Sequence, residues 1–279
     1  MSTSLVRKLR STALYVVCIA IAIITGFPFV FLIINSFKSM NDYLTNIWLL
    51  PKKIFLGNYI TVLKPDFLRY FLNSVIVSTI SVLLIVLVSS MISYTFARMK
   101  YRGKNILYFA VIAGMMIPVH TTLIPTFTLL SNIGLSDSLV GLLGPYVSYN
   151  IPIAVFILTQ FFKEIPAEIE EAGIIDGCGI IKIFTNIIMP LSGPALSTIV
   201  VYTFLNIWNE FINANVLITS TTKKTLPLGI REFYGMQSVN IPSILTAILV
   251  GSLPVIILYF CAQEKVVNGL TQGAVKIVN

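Results

Sequence analysis

The sequence predicts an all-α polytopic membrane protein with six transmembrane helices and a cytoplasmic helix-bend-helix loop between the fourth and fifth. Three observations carry that prediction. The chain is 56% hydrophobic and only 11% charged, against roughly 25% charged in a typical soluble domain, so it cannot cover itself with polar surface. Uncharged or nearly uncharged apolar stretches of the length needed to cross a bilayer, about twenty residues, recur along the 279 residues. Finally, residues 164–194 form one polar island. Glu164, Glu168, Glu170, Glu171 and Asp176 are there, five of the eleven acidic residues, and a segment so dense in charge belongs in water.

Taken in order, Arg7, Lys8 and Arg10 precede an uncharged stretch over residues 11–37. That is far longer than the roughly 7 to 15 residues of a cleaved signal core, so a retained first span is expected. Hydropathy places the spans at 13–34, 72–97, 106–130, 139–162, 195–217 and 243–262. The expected organisation is a tail, first span and external loop over 1–71, a core of five spans over 72–263 that contains the island, and a cytoplasmic tail over 264–279. Pro118 and Pro125 fall in the third span and Pro145 and Pro152 in the fourth. Each removes a backbone donor and bends its helix, either around a path or as an ordinary packing kink.

Basic residues in short connections set the orientation. Arg7, Lys8 and Arg10 hold the first end inside. Arg98, Lys100, Arg102 and Lys104 hold the second connection there too. With an even number of spans, both termini and the island are then cytoplasmic, in a bacterial-type cell membrane. The net charge of +8 is explained by these flanks. No run of Lys and Arg interleaved with aromatics suggests nucleic acid as a partner.

The island reads as helix, bend, helix. Pro166 suits a first helical position, and Glu168, Glu170 and Glu171 favour the positive end of the helix dipole. Ile165, Ile169 and Ala172 make an apolar stripe too brief to fold alone, which needs something to bury it. Gly177 and Gly179 break the helix. A second run places Ile180, Phe184 and Ile187 on one face and Lys182, Thr185 and Asn186 elsewhere, before Pro190 and Pro194 mark re-entry into the membrane.

Few residues offer chemistry. Cys18, Cys178 and Cys261 show no metal-ligand spacing and read as small apolar fillers. His120, the sole histidine, lacks the neighbours of a metal site. No cofactor and no metal are expected. Glu210 is an acid well inside a predicted span, where an ionised carboxylate costs several kcal/mol unless it is paired or faces the bundle. With Asn206 and Asn209 it is expected to point inward. Two roles fit that trio: lining a pathway and bonding helix to helix.

Glu171-Ala172-Gly173, Asp176-Gly177, Phe184, Ile187, Pro190-Leu191 and Pro194 resemble the pattern EAAxxDGAxxxxxFxxIxxPLxxP of the permease subunits of binding-protein-dependent ABC importers. Gly173 and Cys178 depart from it, standing where alanine is usual. The resemblance implies that the island is a coupling loop whose short helix docks in a cleft on a cytoplasmic ATPase. It further implies that Glu168, Glu171, Ala172, Gly173, Asp176, Gly177, Cys178, Phe184 and Pro190 form that contact or the bend that shapes it. The sequence is consistent with a separate motor, since GxxxxGK[ST] is absent and Gly103-Lys104-Asn105 lacks its upstream glycine and hydroxyl. This chain is therefore expected to be a transport subunit without an ATPase site.

A second stretch, residues 268–276, resembles the GLTxGAVK ending of carbohydrate-importer permeases of the maltose-transporter type, in particular the smaller six-span permease. Trp208-Asn209-Glu210-Phe211 fits the same group. The resemblance covers roughly residues 72–276 and implies three kinds of partner besides the bilayer: a homologous second permease in a heterodimer, two ATPase subunits, and an extracytoplasmic sugar-binding protein. It also implies that Gly269, Leu270, Thr271, Gly273 and Lys276 reach the ATPases, although Ile277, Val278 and Asn279 depart from the usual glycine end. Neutral polyols are handled by hydroxyl and amide hydrogen bonds with aromatic stacking, so sugar transport does not itself require Glu210. Import of glycerol-3-phosphate or another polyol is the alternative within this class. An ion-coupled secondary transporter is the alternative outside it, and the near absence of intramembrane charge argues against it.

Overall fold

The computed structural model describes residues 3–234 and 239–275, with side chains over 11–234 and 239–263. Every regular element among the described residues is helical. The order is α1 (Thr3–Ser36), α2 (Met40–Thr45), α3 (Gly57–Val62), α4 (Pro65–Arg98), α5 (Lys104–Ala113), α6 (Val119–Asn132), α7 (Leu139–Glu164), α8 (Ala167–Ile175), α9 (Ile180–Ile183), α10 (Met189–Leu191), α11 (Gly193–Trp208), α12 (Ile212–Leu217), α13 (Leu226–Glu232) and α14 (Ile241–Val275). A π-turn, Phe184–Ile188, joins α9 to α10.

Among the described residues four helices are long and apolar enough to cross a membrane: Ser11–Ser36 within α1, α4, α7, and Ile241–Gln263 within α14. Two further stretches pass only as bent pairs. Lys104–Met116 and Val119–Asn132 meet at 99°, and Ile180–Leu191 and Gly193–Trp208 meet at 76°. The third span expected over 106–130, with a bend expected at its prolines, is broken outright at Pro118. Pro118 takes extended backbone, with ψ of 126°, between the two pieces, because the residue and its missing N–H cannot continue a helix. The fifth expected span, 195–217, ends early at Trp208, and its remainder is the separate helix α12. By contrast α7 runs unbroken through Pro145 and Pro152.

The contacts divide the chain into two compact units, residues 1–67 with 230–253 and residues 68–229 with 254–279. In the first, Asn58 of α3 is the tie. Its Nδ2 donates to the carbonyls of Ser36 and Lys38 at 2.9 and 2.8 Å, and its Oδ1 accepts from Ser243 at 3.2 Å. Lys38 is wholly buried, its ammonium donating to the carbonyls of Asn46 and Ile47 at 2.8 and 3.0 Å. Burial lowers its pKa, opposed by the charge of Asp42.

In the second unit α4 presents buried Ser74, Ser78, Ser81, Ser89, Ser90 and Ser93. Small residues let helices approach closely where no hydrophobic force acts between them in lipid. Ser93 donates to the carbonyl of Val155 in α7 at 3.2 Å. Leu142, Tyr146, Ala154, Leu158 and Phe162 of α7 form the core with Ile85 of α4 and Ile199 and Ile207 of α11. Gly229 lies so close to the ring of Tyr70 that a β-carbon would collide with it.

Candidate functional site

Two places in the second unit concentrate the predicted residues. The first is the 164–194 loop. Pro166 stands one position before the helix, as its N-cap with ψ of 135°, rather than as its first residue. Glu168 and Glu170 occupy the first turn of α8. The helix stops at Asp176, and Gly177 follows with φ of +77°, a conformation that side chains resist. Gly177 N donates to the carbonyl of Ile174 and Cys178 N to that of Gly173, both at 2.9 Å. This double bond pattern is a Schellman cap, and it makes Gly177 a requirement of the bend.

The buried faces differ from those predicted. Ile165, Gly173, Ile183 and Ile188 are buried, whereas Ile169 and Ala172 are exposed and Ile180 is 61% exposed. Phe184 and Ile187 are partly buried against the core, as is Cys178. The reason lies in a contact within the loop. A β-carbon on Gly173 would come within 2.8 Å of Ile187 Cδ1, so glycine lets α8 rest directly on the π-turn. Gly173 therefore serves the loop's own packing, and it is Ile174, Ile175, Ile180 and Ile181, exposed by 62, 85, 61 and 79%, that face away. Glu168, Glu171, Asp176 and Pro190 are also exposed.

What holds the base of the loop was not foreseen. Arg98, the last residue of α4, pairs with Glu170 at 2.5 Å between Nε and Oε1, both side chains being mostly buried. Its Nη2 donates to the carbonyl of Ile165 at 2.6 Å. The hydroxyl of Tyr94 donates to the other Glu170 oxygen at 3.2 Å, and its ring lies 5.2 Å from that of Phe184. One arginine, read from sequence only as a topology signal, ties the loop to a long apolar helix.

The second place surrounds Glu210. It sits in the break between α11 and α12, not within a continuous span. There its carboxylate caps α12, Oε1 accepting from Asn213 N at 2.7 Å and Asn213 Nδ2 at 3.0 Å, and Oε2 from Ala214 N at 3.2 Å. Tyr146 of α7 donates to Oε2 at 2.7 Å. A cavity of about 330 Å³ opens here, with Asn206, Glu210 and Asn213 in its wall beside Tyr146, Tyr149 and Tyr202. Asn209 stands apart from it and donates to the carbonyl of Leu205 at 2.9 Å. Glu210 thus joins α12 to α7 and lines a cavity.

His120 is exposed, and no set of three or more His, Cys, Asp or Glu side chains converges as a metal site among the described residues. Gly269, Leu270, Thr271 and Gly273 fall where α14 is described without side chains, and Lys276, Ile277, Val278 and Asn279 lie outside the described residues.

Residues 89–271 match the family described as the binding-protein-dependent transport system inner membrane component. The chain belongs to that family. An ABC transporter permease protein of Caldicellulosiruptor sp. is 44% identical over 255 residues, covering 91% of this chain and 93% of that one. The trehalose/maltose transport system permease protein of Thermococcus litoralis is 32% identical over 273 residues, covering 96% and 98%. The fold matches a chain from the crystal structure of a bacterial ABC transporter involved in the import of the acidic polysaccharide alginate, with a TM-score of 0.80 at 23% identity over 95% of this chain and 98% of that chain. Within this family of membrane transport components, the loop and the cavity of the present permease are the two features to be explained.

Proposed function

We propose that this permease forms half of the membrane pathway of an ATP-driven importer for a mono-, di- or oligosaccharide delivered by an external binding protein. The observation that carries the reading is the build of the 164–194 loop. The capped helix α8 and the start of α9 together turn four isoleucines outward beside exposed acids, while Arg98 and Glu170 anchor the loop's base to α4. Exposed apolar surface rimmed by charge marks a docking face, and an anchored docking face can transmit motion. In this reading both termini and the loop are cytoplasmic, supported by the basic residues Arg98, Lys100, Arg102 and Lys104, the first of which holds the loop's base.

In this reading the partner ATPases grip α8 and α9. Closure on ATP moves the loop as a rigid body, and Arg98 passes the displacement to α4. The kinked helices then switch access from outside to inside, a transition between two states that both nucleotide and binding protein bias. Hydrolysis by the partner subunits resets the cycle, and a second, homologous permease completes the pathway. The relatives' carbohydrate cargo favours sugar over glycerol-3-phosphate.

The test is Gly177→Trp, which places a bulky side chain at a positive φ in open space. Membrane insertion is expected to persist and ATP-driven uptake of the sugar retained by the cognate binding protein to be abolished. Normal uptake would sink the coupling role.

A further inference from the structure

We infer that the cavity beside Glu210 is a subsite for neutral sugar residues, in which a fixed carboxylate disfavours anionic ones. The inference rests on the sugar-import reading and assigns this subunit a direct part in selecting what passes. The volume, about 330 Å³, falls at the small end of ligand pockets. Its wall combines three tyrosines, Tyr146, Tyr149 and Tyr202, with the amides Asn150, Asn206 and Asn213. Aromatic faces and amide donors and acceptors suit a ring that is apolar on its faces and hydroxylated at its rim.

The charge argument is geometric. Three of the four groups bonded to Glu210 are N–H donors, which cannot accept; together with the Tyr146 hydroxyl they supply both carboxylate oxygens. That is the environment of an ionised acid held in place. No lysine or arginine lines the cavity, so an entering anion meets a like charge in a site poorly screened by water.

The experiment uses the full-length chain in nanodiscs formed from native membranes. Cys18, Cys178 and Cys261 are replaced by serine, and Ile153→Cys reports from the cavity wall. Modification rates are compared for a cationic and an anionic methanethiosulfonate of equal size. The cationic reagent is expected to react about tenfold faster, as a focused field produces, with the ratio falling toward one in Glu210→Gln. Maltotriose at high concentration is expected to slow the reaction, and a galacturonic acid trimer is not. Equal reagent rates in the parent, equal protection by both trimers, or protection by neither would overturn the inference. If Glu210→Gln fails to fold, the parent ratio and the two protection measurements still decide. Failure of the importer reading shows differently, as absence of ATP-driven uptake with the reagent ratio intact.

Discussion

The 164–194 loop and the Glu210 cavity invert one another. In the loop, one charged pair, Arg98 with Glu170, is turned inward as an anchor, while four isoleucines are left in the open among exposed acids. In the cavity, polar groups gather within an apolar bundle and largely satisfy each other. The contrast teaches that a carboxylate serves position in both places: Glu170 fixes the loop to α4, and Glu210 fixes the start of α12 to α7. What each region leaves open differs, isoleucines in one and tyrosine side chains in the other.

The largest expected effect comes from the anchor. Arg98→Met strands the Glu170 carboxylate in a mostly buried site and should cost about 3 kcal/mol, seen as a lowered melting temperature in detergent. Adding Glu170→Gln should restore part of the loss, because both charges are then gone. A next smaller effect is expected at the docking face. Ile175→Asp with Ile181→Asp should weaken ATPase binding by about 2 kcal/mol or more, measured by titrating purified ATPase onto the permease, with the melting temperature unchanged. Should that pair lower stability as much as Arg98→Met, the loop's outer face would be packing against its own spans and the contrast would fail.

A third site calibrates both. Asp137, between α6 and α7, accepts from Thr219 N and Ser220 N at 2.9 Å each and from the Ser220 hydroxyl, and pairs with Lys223 at 3.4 Å. These bonds, that from the Ser220 hydroxyl first, hold its carboxyl well below the usual value of 3.8. A depressed carboxylate stabilises above its unfolded pKa and loses that contribution as pH falls. Thermal stability should therefore decline as pH drops below about 4, and Asp137→Asn should remove that part of the decline. It should cost about 2 kcal/mol at neutral pH while keeping the φ of +49°, which asparagine tolerates. Smallest of all, Gly173→Ala should change stability by less than about 1 kcal/mol, since a better helix former is set against a displaced Ile187 methyl.

Much of the loop was legible because its signals are local. Pro166, the early acids and Gly177 each act within a turn of where they stand, and the family pattern spans one short stretch. The inward face was misread because Gly173 has no side chain to signal burial, and its neighbour Ile187 lies across the bend. Arg98 was seen but misassigned, since its partners Glu170 and Ile165 come from a different element. Pro118 signalled a bend in the third span, whereas hydropathy averaged over the break at Glu210, which is why the fifth span proved short. The wall of the cavity, assembled from α6, α7, α11 and α12 with the turn after α5, carries no contiguous signature at all.

The central claim is that the exposed isoleucines of the loop meet an ATPase. A photoactivatable benzophenone side chain introduced in place of Ile181, with the same group in place of Asn132 at the far end of α6 as control, tests it in intact membranes. The account predicts an adduct of ATPase mass from position 181 and none from 132. Equal labelling from both positions, or an adduct from 181 with lipid alone, would contradict it.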